Sequence, residues 1–210
     1  MRLFLVRHGH AYAGFQGIIG GPRGCAGLTD LGRRQAAALR DHLAVSGRVR
    51  ADVLLSSIIP RAIETAEIIA PGLGIELGGR DCDLCEVHTG EADGLDWTEW
   101  EARYGSFAME AEPERVFAPG GESWTTFHER VRRVLDRLAS EHEGETVVAV
   151  CHGGVIAASV RLLLGTGTDA EGSIQPTNTG LSEWEWNPQH GRWTLHSFNE
   201  ATHLLDLAPY

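Results

Sequence analysis

The residues best suited to chemistry in this 210-residue chain are two histidines, two arginines and a glutamate, each next to a short apolar run. Leu3 to Val6 is a run of large apolar side chains that stops at Arg7-His8-Gly9, and Val147 to Cys151 is a second that stops at His152-Gly153-Gly154. Four to eight apolar residues bounded by a breaker read as a buried strand. Two strands ending in His-Gly bring two imidazoles to one sheet edge, the edge at which open α/β sheets hold their ligands. Arg61 comes soon after another such run, ADVLLSS from Ala51 to Ser57, and Glu86 closes a further one. A helix beginning after His152 points its free amides at the same place. Together these groups suit a tetrahedral dianion beside a group that needs a proton. Phosphoryl transfer asks for a nucleophile in line with the leaving oxygen, fixed positive charge on the equatorial oxygens and a general acid. The sequence carries no Walker loop and no Asp-rich cluster, so attack by a histidine without cofactor or metal is the economical route.

The elements that must position these residues follow from periodicity. Leu28 to Val45 is an amphipathic helix capped by Thr29 or Asp30, with Leu31, Leu39 and Leu43 on one face. Ile58 to Ala70 is a helix with Pro60 in its first turn and Pro71-Gly72 as its stop. Leu73 to Leu84 holds a third short strand that delivers Cys85-Glu86. Ser123 caps a long helix whose stripe is Phe127, Val131, Val134, Leu135 and Leu138. Arg130, Arg132, Arg133 and Arg137 face away from that stripe and read as solvated partners of Glu129 and Asp136. Val155 to Leu164 is an apolar helix closed by Gly165, and Leu181 to Trp186 with Trp193 to Phe198 forms a hairpin. The Gly-rich stretch Gly14 to Gly27 reads as an irregular loop. Strands alternating with helices predict a three-layer α/β/α sandwich with a mostly parallel central sheet and a C-terminal antiparallel hairpin. The length, 210 residues, suits a single domain.

A formal charge of −11 argues against nucleic-acid and acidic-membrane surfaces, which need basic patches. All 18 basic residues are arginine, so an anion here is bound by arginine, histidine or backbone amides. No run approaches the roughly 18 consecutive apolar residues of a membrane helix, and the N-terminal run is too short for a signal peptide. A cytoplasmic protein with a small phosphorylated metabolite as partner is expected. Cys82-x-x-Cys85 with His88 three residues on invites a zinc or redox reading. A structural zinc site usually takes two such pairs and the second is missing, so the pair reads as reduced thiols near a strand end. Trp97, Trp100, Phe107 and Trp124 are candidates for an apolar entrance wall.

In order along the chain stand Arg7-His8-Gly9, Leu28-Thr29-x-x-Gly32-x-x-Gln35-Ala36, Ser56-Ser57-x-x-x-Arg61-Ala62-x-x-Thr65-Ala66, Glu86-x-x-x-Gly90-x-x-x-Gly94, Gly120-Gly121-Glu122-Ser123 and His152-Gly153-Gly154. With these pieces the chain resembles the histidine phosphatase superfamily, the phosphoglycerate-mutase-like fold. The resemblance covers nearly the whole chain and implies a cap-like insertion at about residues 87–121. It implies that His8 attacks phosphorus, that Arg7, Arg61 and His152 hold the phosphoryl oxygens, and that Glu86 protonates the leaving alkoxide and then deprotonates water. Glu86 must then hold a proton near neutrality, and the two imidazole pKa values are expected to be pushed apart, with His152 serving best protonated.

Gly153, His10, Gly14 and His88 are further candidates for binding substrate. Gly14 stands where many members carry an asparagine, and His10 where they carry Glu or Gln, so that wall of the pocket is rebuilt. Mutases surround the acid with a Glu-Arg-His-Tyr-Gly pattern; here Glu86-Val87-His88-Thr89-Gly90 lacks it, and Trp97 replaces their lysine. A phosphatase is therefore expected. A 2,3-bisphosphoglycerate-dependent mutase and a non-catalytic phosphate-binding protein are the alternatives, and a homodimer is implied by resemblance alone.

Overall fold

The computed structural model describes residues 1–167 and 172–207. In chain order it contains β1 (Arg2–Arg7), α1 (Tyr12–Gln16), α2 (Asp30–Ser46), β2 (Val53–Ser56), α3 (Pro60–Leu73), β3 (Gly79–Arg80), α4 (Trp97–Tyr104), α5 (Trp124–Glu141), β4 (Thr146–Cys151), α6 (Gly153–Leu164), β5 (Leu181–Asn187) and β6 (Arg192–Glu200). The six strands form one sheet in the order β3-β2-β4-β1-β5-β6. β3, β2, β4 and β1 run parallel, and β5 and β6 are antiparallel, as the sequence predicts.

Alternation along the central strands builds the two cores. Leu3, Leu5, Val147 and Ala149 face α5 and α6 in a cluster with Phe127, Val131 and Leu135. Phe4, Val6, Val148 and Val150 face the other way, onto Leu39 and Leu43 of α2 and Ala62, Ala66 and Ile69 of α3. Both faces of the sheet are thus covered by helices, which explains why these strands read as unbroken apolar runs. A third cluster, Ile19, Ala92, Trp100, Phe117 and Ala118, sits apart from the sheet and gathers much of the segment after Glu86.

The register of β1 on β4 brings the two histidines together. Arg7 pairs with Cys151, so the next residues, His8 and His152, leave the sheet side by side. The His8 amide continues the ladder by donating to the Cys151 carbonyl at 3.0 Å. The chain after His8 packs directly on the start of α2. A side chain at Gly9 would meet the Gly32 carbonyl oxygen at 2.6 Å, and one at Gly32 would overlap the His10 carbonyl.

Several expectations are corrected. The helix after Pro60 runs through Pro71 to Leu73 and stops at Gly74, whose φ of 69° supplies the left-handed turn. The third strand is only Gly79–Arg80, and a 3-10 turn, Cys82–Leu84, separates it from Glu86. Turn formation wins there because Asp81 accepts a hydrogen bond from the Asp83 amide at 2.9 Å. The Gly14–Gly27 stretch begins inside the short helix α1 and is tied down by bridges Ala11 to Leu28 and Ile18 to Asp96. No helix among the described residues is long and apolar enough to cross a membrane.

Candidate active site

His8 is anchored at both ring nitrogens. Nδ1 lies 2.7 Å from the Gly9 carbonyl, which can only accept, so the ring proton sits on Nδ1. Nε2 accepts from Arg61 Nε at 3.0 Å. The backbone around it is held as well: Asn178 donates to the His8 carbonyl at 2.8 Å, and the Gly9 amide donates to Thr65 at 3.1 Å. The second imidazole, His152, is fully buried, with its ring centroid 5.1 Å from that of His8. Its Nε2 is 2.7 Å from the Ser57 hydroxyl, while its Nδ1 is buried with no hydrogen-bond partner among the described residues.

The two arginines arrive from opposite sides. Arg61, in the first turn of α3 and only 7% exposed, also donates to the Gly20 carbonyl at 2.6 Å. Arg7 donates from Nη1 to the Pro176 carbonyl at 2.5 Å and keeps its Nε buried and unpartnered among the described residues. That guanidinium lies against Gly153 at the start of α6, where a Cβ would stand in ordinary contact, 3.4 Å from Arg7 Nε.

Glu86 reaches the same place from the turn after β3. One carboxylate oxygen accepts from the Gly154 amide at 3.0 Å, at the positive end of α6. A side chain at Gly154 would overlap the other oxygen. The segment bearing Glu86 is clamped by Arg130, and here the solvated reading of the α5 arginines fails. Arg130 is 2% exposed, forms a two-pronged ion pair with Glu122 at 2.7 Å, and donates to the carbonyls of Asp83, Cys85 and Glu86. The apolar stripe misplaced it because a long side chain at the stripe's edge can turn inward when a carboxylate and three carbonyls receive it. Arg132 pairs with Asp136 as expected, but Arg137 turns to Asp81 and Glu141.

Arg7, His8, Arg61 and Glu86, with His10 and Asn178, line a cavity of about 480 Å³, whereas Gly153 and the fully buried His152, both expected to bind substrate, are not among its lining residues. Ile18, Ile19, Val87, Trp97, Met109 and Phe117 supply apolar wall. His10 and Gly14 both line it; His10 Nδ1 is 2.9 Å from the Thr29 hydroxyl. His88 does not line it: its ring meets Cys82 at 3.5 Å and Glu122 at 3.8 Å. Of the four aromatic candidates, Trp97 lines the cavity. Trp100 is buried against Phe117 and Phe107, and Trp124 packs on Phe127 and His128. Sequence reasoning did not single out Asn178, Gly20 or the roles of Ser57 and Arg130. Ser57 and Glu122 lie inside quoted motifs and Gly20 inside the Gly-rich stretch, so a signal existed for them; Asn178 sits in a loop without pattern.

Both imidazoles are pushed well below the ordinary histidine value. Burial is the main cause for each, reinforced by Arg61 and then Arg7 for His8, and by Arg61, His8, Arg130 and Arg7 for His152. Both rings shift the same way, so a protonated His152, the form expected to serve best, is disfavoured in the ligand-free chain. Two rings in one dry, cationic pocket both resist a proton until an anion enters. Burial lowers the Arg7 pKa as well, partly offset by Glu86.

A mostly parallel sheet that brings two histidines and two arginines together at one edge defines an α/β protein with a candidate anion site. The chain belongs to the histidine phosphatase superfamily (branch 1), whose family description matches residues 3–201. It is 35% identical over 176 residues to a bifunctional protein of Mycobacterium tuberculosis, covering 80% of this chain but only 45% of that relative's length. It is 29% identical over 206 residues to the metal-independent phosphoserine phosphatase of Arabidopsis thaliana, covering 96% of this chain and 82% of that one. A mutant phosphoserine phosphatase from Entamoeba histolytica, solved with phosphoserine, superposes with a TM-score of 0.76 at 26% identity, covering 97% and 99% of the two chains.

Proposed function

We propose that this chain is a metal-independent phosphatase that hydrolyses a small phosphomonoester through a phosphohistidine on His8. The observation that carries the reading is the His8 ring, whose Nδ1 proton is held by the Gly9 carbonyl so that the lone pair on Nε2 points to Arg61. Nε2 attacks phosphorus as the ester P–O bond breaks. Arg61, Arg7 Nε and His152 Nδ1 take the phosphoryl oxygens, the last two being buried polar atoms with no other partner among the described residues. With Ser57 donating to Nε2, neutral His152 carries its proton on Nδ1 and can donate it without being charged. Glu86 passes a proton to the departing alkoxide. Its carboxylate then takes a proton from the water that attacks the phosphohistidine, releasing phosphate and restoring His8. The protein supplies all the positive charge this sequence of steps needs.

The apolar wall favours a leaving group with an apolar body, because the described lining offers His10, Thr89 and Asn178 but no further arginine to grip a second anion. That composition speaks against a bisphosphate-dependent mutase. In the test, p-nitrophenyl phosphate turnover is expected to survive EDTA and to fall at least about a thousandfold in His8→Ala. Interconversion of 3- and 2-phosphoglycerate at a rate rivalling hydrolysis would overturn the reading. A panel of phosphomonoesters including phosphoserine then ranks substrates, and esters of apolar alcohols are expected to lead.

A further inference from the structure

On the segment whose Glu86 and Val87 line the cavity, the stretch Cys82-Asp83-Leu84-Cys85-Glu86-Val87-His88 spaces two thiols and an imidazole every three residues, and none of these three side chains is part of the lining. The 3-10 turn Cys82–Leu84 folds them together. One ligand atom from each residue lies within 4.8 Å of the other two, and Cys82 Sγ is 3.5 Å from His88 Nε2. That separation fits an edge of a tetrahedron whose metal–sulfur and metal–nitrogen bonds are about 2.3 Å and about 2.0 Å. We propose that Cys82, Cys85 and His88 bind a thiophilic divalent cation of the zinc class, with a fourth position open to solvent.

The surroundings support a ligand set. Cys85 is fully buried while Cys82 is exposed, so a cation held between them has one dry side and one that water can fill. The other ring nitrogen of His88 lies 3.8 Å from Glu122, whose second oxygen accepts the His88 amide at 2.9 Å. Glu122 is itself fixed by Arg130. A carboxylate behind a ligating histidine is the usual outer partner that fixes its ring. Two sulfurs and an imidazole select zinc over magnesium or calcium. Each cysteine that binds exchanges its S–H bond for a sulfur–metal bond and releases the proton to solvent, with no electron transferred. Glu86 lies between Cys85 and His88, so a bound cation would fasten both ends of the piece of chain that carries it.

The test is a Co2+ titration of the reduced chain after EDTA treatment and removal of the chelator. Saturation at one equivalent is expected, with a thiolate-to-cobalt charge-transfer band and the intense visible absorption of tetrahedral ligation, both abolished by one equivalent of Zn2+. Cys82→Ala, a change at an exposed position, is expected to keep the circular dichroism of the parent and to weaken Co2+ binding at least about tenfold. Absence of the thiolate band, or equal affinity in Cys82→Ala, would overturn the site. A Cys82–Cys85 pair that only oxidises and takes up no cation when reduced would do the same. None of these readouts depends on phosphatase activity, so this assignment and the catalytic one fail separately.

Discussion

Glu86 and His8 carry demands that differ with the leaving group, and single substitutions separate them. A p-nitrophenolate departs with little help from a proton, whereas an alkoxide needs one. Glu86→Gln is therefore expected to lower kcat by roughly a hundred- to ten-thousandfold for alkyl phosphates and far less for p-nitrophenyl phosphate. Equal losses on both would remove Glu86 from the acid role. Gly154→Ala tests the placement of that carboxylate without altering any charge, because the new methyl would overlap the Glu86 oxygen while the helix around it gains a better helix former. Its activity on alkyl esters is expected to fall with little loss of melting temperature. The imidazoles make a third residue-scale prediction. Both are pushed below the ordinary value of 6.5, so in the ligand-free chain they stay neutral as pH drops through that value. Long-range 1H–15N NMR should show His8 as the Nδ1–H tautomer at pH 6.5, and imidazolium shifts at that pH would contradict the geometry.

Among the elements, the strands were the easiest to read from sequence, because burial on both faces leaves no polar interruption in β1 and β4. Their parallel register then makes the meeting of His8 and His152 nearly automatic. The helices were legible for a related reason, the 3.6-residue stripe, and Ser123 was legible as the cap of α5, where the structure adds a capping box with Thr126. What periodicity could not show was the direction of Arg130, since one residue at the rim of a stripe can face either way. Nor could it show that β3 shrinks to two residues, because a local Asp81 turn competes with strand pairing over a few residues. The rebuilt wall at Gly14 was visible as a departure from the family pattern, but its conformation in α1 was not. Arg130 is the element-scale test. Removing it would leave the half-buried Glu122 without its ion-pair partner and free the carbonyls of Asp83, Cys85 and Glu86. Arg130→Ala is expected to cost about 3–5 kcal/mol of stability in urea unfolding and to lower activity through a displaced Glu86. A loss under about 1 kcal/mol would return Arg130 to the solvated face first expected of it.

Across the whole molecule, the same burial that keeps the imidazoles neutral sets how stability responds to acid. His8, His128, His152 and His203 all have lowered pKa values, burial being the leading cause, and His203 falls to about 4. Between 6.5 and those lower values the unfolded chain binds protons that the folded chain refuses, so stability present above 6.5 is lost as pH falls. Glu122, Glu183 and Glu200 act in the same direction at lower pH. Burial opposes their ionisation, but hydrogen bonds from Arg130, from Arg2 and Arg48, and from Thr202 hold their pKa values below the usual one. The melting temperature should therefore drop steadily from pH 7 to about pH 5, before most carboxylates titrate. A flat profile over that range would mean the buried histidines take up protons in place. Catalysis as proposed depends above all on phosphorus passing through His8. Rapid acid-free quenching of the chain during turnover, with peptide mass spectrometry of the digest, tests this directly. The expected result is an acid-labile, base-stable phosphoryl group on the peptide bearing His8, absent from His8→Ala; turnover continuing in His8→Ala with no phosphorylated histidine would contradict it.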